Sequence, residues 1–278
     1  MSKVKLGIVG CGFLGNIVVD AWHRGLLPEF EFVGCISRSA ESARTLAKKA
    51  GCPACADLDA LLSAKPDYVI EAASPVAMKA IAEKTLRAGS HLVVLSIGAF
   101  ADAAFYERIQ QVARECGKRV HLASGAIGGF DVLRTAALMS AVESSITTEK
   151  GPSSLKGTPI FRDSLMTDTG TTEVFAGSAK EAIALFPTRV NVAVATALAT
   201  AGPDNTRVTI RSVAGFKGDD HRIEVKGEEV HATVDIYSRT SAIAASWSLP
   251  IMPCVRSTLA NSASRPLIAC RWLLAASE

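Results

Sequence analysis

The stretch Lys5-Leu-Gly-Ile-Val-Gly-Cys-Gly-Phe-Leu-Gly15 decides the fold of this chain, because three glycines directly follow a short apolar run. The order of strand, glycine turn and helix is the context in which a Gly-x-Gly-x-x-Gly pattern binds a dinucleotide. The first glycine permits the tight turn, the second lets the backbone approach a pyrophosphate, and the third lets the helix pack closely on the strand. The sequence therefore predicts that NAD or NADP binds here, against the alternative of a purely structural turn, and the predicted contacts are Gly10, Gly12, Phe13, Leu14 and Gly15.

The chain beyond this turn alternates short apolar strands with helical segments for about 120 residues, which is typical of a parallel, doubly wound sheet. The first helix is predicted over 16–24, and the further strands over 31–37, 68–71, 91–95 and 120–122. The pattern changes at a second glycine-rich turn, Ser124-Gly-Ala-Ile-Gly-Gly129. Beyond it, strands are predicted over 145–148, 208–211, 221–226 and 229–237, with helices over 131–140 and 191–200 and another that Pro187 closes.

These patterns predict an α/β protein of two domains. A Rossmann domain with a doubly wound parallel sheet is expected over residues 1–124, completed by part of 241–278. A second, α+β domain for catalysis and dimerisation is expected over residues 125–240, with a sheet that faces water on one side. At 278 residues the chain is long enough for both.

The ends of two predicted strands bear on the cofactor. An NAD-specific fold usually has Asp or Glu after the second strand to accept from the ribose 2′-hydroxyl. This chain instead has Ser37-Arg38-Ser39 and no acid until Glu41. Arg38 and Ser39 are therefore predicted to bind a 2′-phosphate, although Arg38 as an ordinary solvated residue stays open. Ala73 and Ser74 follow the strand over 68–71, at the sheet edge where ligands bind, so they are predicted to border the nicotinamide.

The second predicted domain contains the candidate for proton transfer. Asp219-Asp220-His221 stands directly before a predicted strand, at the edge of a loop. A histidine titrates near neutral pH, and a neighbouring carboxylate can orient its ring. The alternative is an ordinary surface histidine. The sequence contains neither a Ser/His/Asp ordering nor a metal-ligand cluster, so no metal site is predicted.

The composition limits the classes of binding partner that are expected and indicates a cellular compartment. The net charge of +3 comes from scattered Lys and Arg, so neither nucleic-acid nor membrane-surface binding is expected. The first residues lack the apolar region of a signal peptide, and two prolines break the long uncharged run near the C-terminus. Seven cysteines without a regular framework favour a reduced cytoplasm. Cys52-Pro-Ala-Cys55 has redox spacing, which leaves a minor redox or metal alternative open.

Taken together, the motifs resemble those of the L-aspartate dehydrogenase family over most of the chain, from Gly7 to about Ala245. The most specific segments of this resemblance are spread over both predicted domains. They are Gly10–Gly15, Glu71-Ala-Ala-Ser-Pro75, Ser96-Ile-Gly-Ala99, 124–129, 175–182, 186–192 and His221-Arg-Ile-Glu224.

The resemblance implies an NAD(P)-dependent enzyme that oxidises L-aspartate to iminoaspartate, which hydrolyses to oxaloacetate and ammonia or feeds NAD biosynthesis. It also implies cofactor contacts from Ala126 and Asn191, an acid/base role for His221, and a homodimer. Two alternatives remain open, because fold resemblance does not settle the substrate. One is a related reductase of another small amino or dicarboxylic acid, of the dihydrodipicolinate or homoserine type. The other is a non-catalytic protein that senses NAD(P).

Overall fold

The computed structural model describes residues 3–123, 127–186 and 190–237. These residues separate into two compact units, one of residues 3–123 and one of residues 127–237. The segment from 241 to 278, which the sequence predicts to complete the first domain, lies outside the described residues. The predicted domain limits therefore stay a prediction.

The first unit is a five-stranded parallel sheet with helices in the crossover connections. Its strands are β1 (Val4–Val9), β2 (Phe30–Ile36), β3 (Tyr68–Glu71), β4 (His91–Val94) and β5 (Val120–Leu122), and its helices are α1 (Phe13–His23), α2 (Ala40–Ala50), α3 (Leu58–Ser63), α4 (Pro75–Arg87) and α5 (Ala103–Glu115). A 3₁₀ helix, Ile97–Ala101, follows β4. The strand order β2-β1-β3-β4-β5 confirms the predicted Rossmann sheet.

Local signals explain where these helices begin. Four of them have a side chain that accepts a hydrogen bond from a backbone N–H of the first turn, which satisfies one of the free donors there. The capping residues are Ser39, Asp57, Ser74 and Asp102. The exception is α1, whose cap is Gly12 and which starts at Phe13, three residues before the predicted start. The predicted start lies too far along the chain because helical periodicity can be recognised only once buried apolar positions recur.

The second unit is a five-stranded mixed sheet with three α-helices. Its elements are α6 (Phe130–Met139), β6 (Val142–Lys150), β7 (Thr171–Ser178), α7 (Ala179–Leu185), α8 (Asn191–Ala199), β8 (Thr206–Val213), β9 (Asp219–Gly227) and β10 (His231–Ile236), with 3₁₀ helices at Pro152–Leu155 and Asp163–Met166. The strand order is β10-β9-β6-β8-β7. β6 and β8 are parallel, and the other pairs are antiparallel.

Two strands of this sheet differ from the sequence prediction. β7 was not predicted as a strand, because it is an edge strand with a register shift between Glu173 and Phe175 and few buried side chains. β10 begins at His231 instead of Glu229, since Val230 lies in the turn and accepts a hydrogen bond from Gly227. Edge strands with bulges give a weak alternating pattern.

The core of the second unit explains the position of its central strands. Along β9 the side chains of His221, Ile223 and Val225 are buried, whereas those of Arg222 and Lys226 on the opposite face are exposed. This alternation matches the predicted sheet with one wet face.

Within the described residues, no helix combines the length and apolar character needed to cross a bilayer.

Candidate functional site

The glycine turn after β1 has a geometry that other residues would not tolerate. Gly10 has a φ of +103°, and a Cβ on it would lie 2.5 Å from the backbone of Ala72. A Cβ on Gly15 would collide with the carbonyl oxygen of Gly10. Gly12 is different, because a Cβ there would meet no atom within 4 Å. Among the described residues, no neighbouring atom requires a glycine at position 12, whereas a ligand lying against the backbone would.

The N-terminus of α1 completes this turn. No side chain caps it, and the side chain of Asn16 is directed instead to the carbonyl of Gly12, with Nδ2 at 2.9 Å. The free N–H groups and the partial positive charge of an eleven-residue helix therefore face the turn. Phe13 is exposed and Leu14 is half-buried beside it. The turn fits the pyrophosphate of a dinucleotide, which is the group that the glycine pattern predicts.

The end of β2 carries the residues predicted to read a 2′-phosphate. Arg38 is exposed. Ser39 caps α2, and its Oγ accepts a hydrogen bond from the N–H of Ser42 at 3.2 Å. The hydroxyl of Ser39 thus already has a structural role as an acceptor, while its own proton remains available for donation. The first acidic residue after β2 in the sequence, Glu41, lies in the first turn of α2.

The carboxyl ends of β3 and β4 lie side by side, because these strands are neighbours in the parallel sheet. Ala73 and Ser74 follow β3, and both of their N–H groups donate to the carboxylate of Glu71. The hydroxyl of Ser74 caps α4 by accepting from the N–H of Ala77 at 3.1 Å. Sequence reasoning named the two loop residues but missed Glu71, whose partners come from two separate loops.

In the second unit, His221 is enclosed by polar groups from β6 and β9. The residue is 3% exposed. Its Nδ1 lies 3.0 Å from the hydroxyl of Thr148, and its Nε2 lies 3.5 Å from Oδ1 of Asp219. The other oxygen of Asp219 accepts from Nζ of Lys150 at 2.6 Å. The ammonium of Lys150, the carboxylate of Asp219 and the imidazole of His221 are therefore adjacent, with the carboxylate between the other two.

The position of His221 corrects one prediction. The sequence placed this histidine at a loop edge before a strand, whereas β9 already begins at Asp219. The strand extends this far because β6 pairs with it, so that Thr148 is opposite His221 and Lys150 is opposite Asp219. The histidine is buried in a sheet, so it is not the ordinary surface histidine that the sequence left open.

Burial and charge act on His221 in opposite directions. Burial lowers its pKa below 6.5, Asp219 and Asp220 raise it, and Lys150 lowers it. The net effect lowers the pKa, which favours the neutral imidazole. A neutral imidazole with a carboxylate near Nε2 is suited to accept a proton, because the imidazolium that forms would be paired with Asp219.

The other histidines have different surroundings. His231 is exposed, and its Nε2 lies 2.9 Å from Oε1 of Glu224. His91 and His121 lie in the first unit, where burial is the main cause that lowers their pKa values to about 4 and about 3. His221 is therefore the histidine of the second unit that combines burial with a carboxylate and an ammonium.

Three remaining predictions concern single residues or pairs. Asn191 is the first residue of α8 and is half-buried, whereas Ala126 lies outside the described residues. Cys52 and Cys55 are free and half-buried.

Among the residues that the structure describes, no three His, Cys, Asp or Glu side chains are arranged to hold a metal ion.

Comparison with known protein families divides the chain in the same way as its sequence pattern. Residues 10–123 match the family described as homoserine dehydrogenase, NAD binding domain. Residues 131–251 match the family described as aspartate dehydrogenase, C-terminal. The first match covers the glycine turn and the ends of β2, β3 and β4, and the second covers His221 and its partners.

Similar proteins cover most of the chain. An L-aspartate dehydrogenase of Methanospirillum hungatei is 33% identical over 86% of this chain and 88% of its own length. Another from Methanocaldococcus jannaschii is 31% identical over 87% of this chain and 93% of its own. The crystal structure of an aspartate dehydrogenase from Thermotoga maritima superposes with a TM-score of 0.74 and 26% identity, covering 96% of this chain and all of the other.

Proposed function

The chain belongs to the L-aspartate dehydrogenase family, and from this membership we propose that it oxidises L-aspartate to iminoaspartate with NAD(P)+. The observation that carries the proposal is the buried His221 beside Asp219 and Lys150, within the region that matches the aspartate dehydrogenase C-terminal family. The product is an imine, which hydrolyses to oxaloacetate and ammonia or is consumed in NAD biosynthesis.

His221 is proposed to move the protons of this reaction. The ammonium of aspartate must lose a proton before a hydride can leave C2, because a protonated nitrogen has no lone pair to form the imine. Nε2 of His221, which makes no hydrogen bond among the described residues, is the atom proposed to accept that proton. Asp219 then pairs with the imidazolium, and Lys150 holds the carboxylate in place. Once that proton has been released to solvent, the same nitrogen is proposed to accept a proton from the water that attacks the imine and to return it to the nitrogen that leaves as ammonia.

The first unit is proposed to hold the dinucleotide. Gly10, Gly12 and Gly15 with the first residues of α1 receive the pyrophosphate, and Ala73 and Ser74 border the nicotinamide. When bound, NAD(P)+ supplies the acceptor for the hydride from C2. Contacts from Ala126 and Asn191 are part of the proposal on the basis of family resemblance.

Steady-state assays with L-aspartate, homoserine and alanine test the substrate. Formation of NAD(P)H with aspartate and much less with the other two supports the proposal. A preference for homoserine would indicate the related reductase instead. Cofactor binding without turnover on any of the three would indicate an NAD(P)-sensing protein.

Arg38 provides a prediction about cofactor choice. We expect Arg38→Ala to weaken NADP binding roughly 10- to 150-fold and to leave NAD binding nearly unchanged, because a hydrogen bond to a charged group contributes about 1.5–3 kcal/mol. Dissociation constants measured for both cofactors by fluorescence titration check it. Arg44→Ala is the matched control, since Arg44 is also exposed and lies on the adjoining helix α2. Equal losses for NAD and NADP would show that Arg38 does not contact the 2′-phosphate.

A homodimer is also proposed. The strand over 230–236 and the helices over 179–199 are candidate interface regions. Residues 193–197 of α8 are buried in this chain, so they offer little surface to a partner. The exposed apolar residues of α6 fit an interface better, with Leu138 77% and Met139 53% exposed.

We therefore expect a two-fold symmetric dimer at micromolar concentration, measured by sedimentation velocity. Leu138→Glu is expected to shift the protein toward monomer, because the change would place a charge in an apolar interface. Arg134→Glu serves for comparison, because it changes a residue of the same helix that is already charged and not apolar. A wild-type protein that sediments as a monomer would contradict the prediction.

We also propose a cytoplasmic location. The five cysteines of the described residues, Cys11, Cys35, Cys52, Cys55 and Cys116, are free thiols. Thiols persist in the reducing cytoplasm and are oxidised in secreted proteins.

A further inference from the structure

Glu71, the last residue of β3, is a buried carboxylate that collects hydrogen bonds from two loops. Its exposed fraction is 0%. Oε1 accepts from the N–H of Ala73 at 2.8 Å, from the N–H of Ser74 at 2.9 Å and from the hydroxyl of Ser96 at 2.9 Å. Oε2 accepts from the N–H of Ser96 at 3.0 Å. One side chain thus ties the loop after β3 to the segment after β4.

The arrangement favours an ionised carboxylate. Three of the four contacts are backbone N–H groups, which can only donate, whereas the hydroxyl of Ser96 can donate or accept. Burial has the largest effect and raises the pKa of Glu71 above its usual value, and the hydrogen bonds from Ala73, Ser96 and Ser74 reduce that rise. A buried charge has a high desolvation cost, so its several strong hydrogen bonds are what allow it to stay in the sheet.

The loop after β3, which Glu71 holds, lies against the glycine turn. The N–H of Ala72 donates to the carbonyl of Val9 at 2.8 Å. The backbone of Ala72 and Ala73 also fills the space where a Cβ on Gly10 would be. Glu71 therefore holds two segments at the carboxyl edge of one parallel sheet, and one of them packs against the glycine turn. This is the edge where ligands bind.

We propose that Glu71 is a positioning residue for the cofactor, whose carboxylate holds the 72–74 loop and Ser96 in the conformation that receives the nicotinamide half of NAD(P). The proposal rests on the dinucleotide binding proposed above. It assigns to Glu71 no contact with the reacting atoms.

The sheet offers a matched pair of variants that separates positioning from general stability. Ser96 and Ser90 follow and precede the same strand, β4, and are 8% and 1% exposed. Each donates its hydroxyl to a buried acceptor, Ser96 to Glu71 at 2.9 Å and Ser90 to the carbonyl of Pro66 at 2.6 Å. Ser96→Ala and Ser90→Ala therefore remove one buried hydrogen bond each, but at opposite edges of the sheet.

The measurements are the Tm of each apo-protein and the Kd for NADH and NADPH, by fluorescence titration without substrate. We expect both variants to lower Tm, whereas only Ser96→Ala weakens binding, by roughly three- to tenfold, the effect of about one hydrogen bond. Glu71→Gln should weaken binding further, because its amide NH₂ would oppose the N–H of Ser96.

A Kd that changes equally in Ser96→Ala and Ser90→Ala, or in neither, would overturn the proposal. In that case Glu71 contributes to folding alone. If Glu71→Gln does not fold, the serine pair still decides the question. Failure of the wild-type protein to bind either cofactor would instead contradict the proposed function, so the two failures are distinguishable.

Discussion

Replacing His221 with alanine is expected to lower kcat by roughly 10²–10⁴ while cofactor binding is retained, because a positioned acid/base contributes about that much to the rate. The imidazole is the group proposed to take a proton from the substrate ammonium. Its Nε2 lies 3.5 Å from Asp219, which would stabilise the charge that develops on the ring. Steady-state kinetics and a separate titration with NADH check the two parts of this result.

The pH profile gives a second readout of the same residue. The base must be neutral to accept a proton, so activity should fall as the pH decreases through its pKa. Burial lowers the pKa of His221 below 6.5. The acid limb of kcat/KM should therefore lie below pH 6.5 and should disappear in His221→Ala. Asp219→Asn should move the limb further toward acid, because Asp219 raises the pKa of His221.

His231→Ala is the matched control for this experiment. His231 lies on the neighbouring strand β10, is exposed, and contacts Glu224 at its surface. Its removal should leave kcat and the acid limb unchanged. If His221→Ala keeps a near-normal kcat with the same limb, the base is another residue, and His231 would be the next histidine to test.

Replacing Gly12 with alanine is expected to weaken NAD(P) binding roughly 5- to 150-fold without changing the Tm of the apo-protein. A Cβ at this position meets no protein atom within 4 Å, so the fold should tolerate it. The same Cβ would occupy the space in which a pyrophosphate lies against the backbone, and overpacking costs about 1–3 kcal/mol.

Gly10→Ala should differ from Gly12→Ala in that it also destabilises the apo-protein. The position has a φ of +103°, and an added Cβ would lie 2.5 Å from the backbone of Ala72. Backbone strain alone costs about 1–3 kcal/mol, so the Tm of the apo-protein should fall. Comparing the two variants by thermal unfolding and cofactor titration separates a ligand-driven glycine from a fold-driven one. Equal losses of Tm would show that Gly12 also serves the fold.

The parts of this protein that could be predicted from its sequence are those governed by local patterns. The glycine turn and the parallel strands of the first unit each depend on residues close together in the chain. Predicted elements therefore agreed in type and mostly in extent. β7 escaped detection because an edge strand buries little and needs no strict alternation.

The parts that could not be predicted depend on pairing between distant segments. Thr148 and His221 are 73 residues apart in sequence, and Lys150 and Asp219 are 69 apart. Only the register of β6 against β9 brings them together. Glu71 and Ser96 meet for a similar reason, through neighbouring strands. A sequence pattern identifies such residues as polar and near a strand end, but it does not specify their partners.

The central position of β6 also determines how the second unit can fold. β6 is the first strand of its sheet in the chain, yet both of its neighbours, β8 and β9, are synthesised much later. By contrast, β9 and β10 are joined by a short turn and can pair soon after they form. Closing the long loops around β6 costs chain entropy before its contacts form. We therefore expect the strand that carries Thr148 and Lys150 to be incorporated late, so that the surroundings of His221 are completed only when the sheet closes.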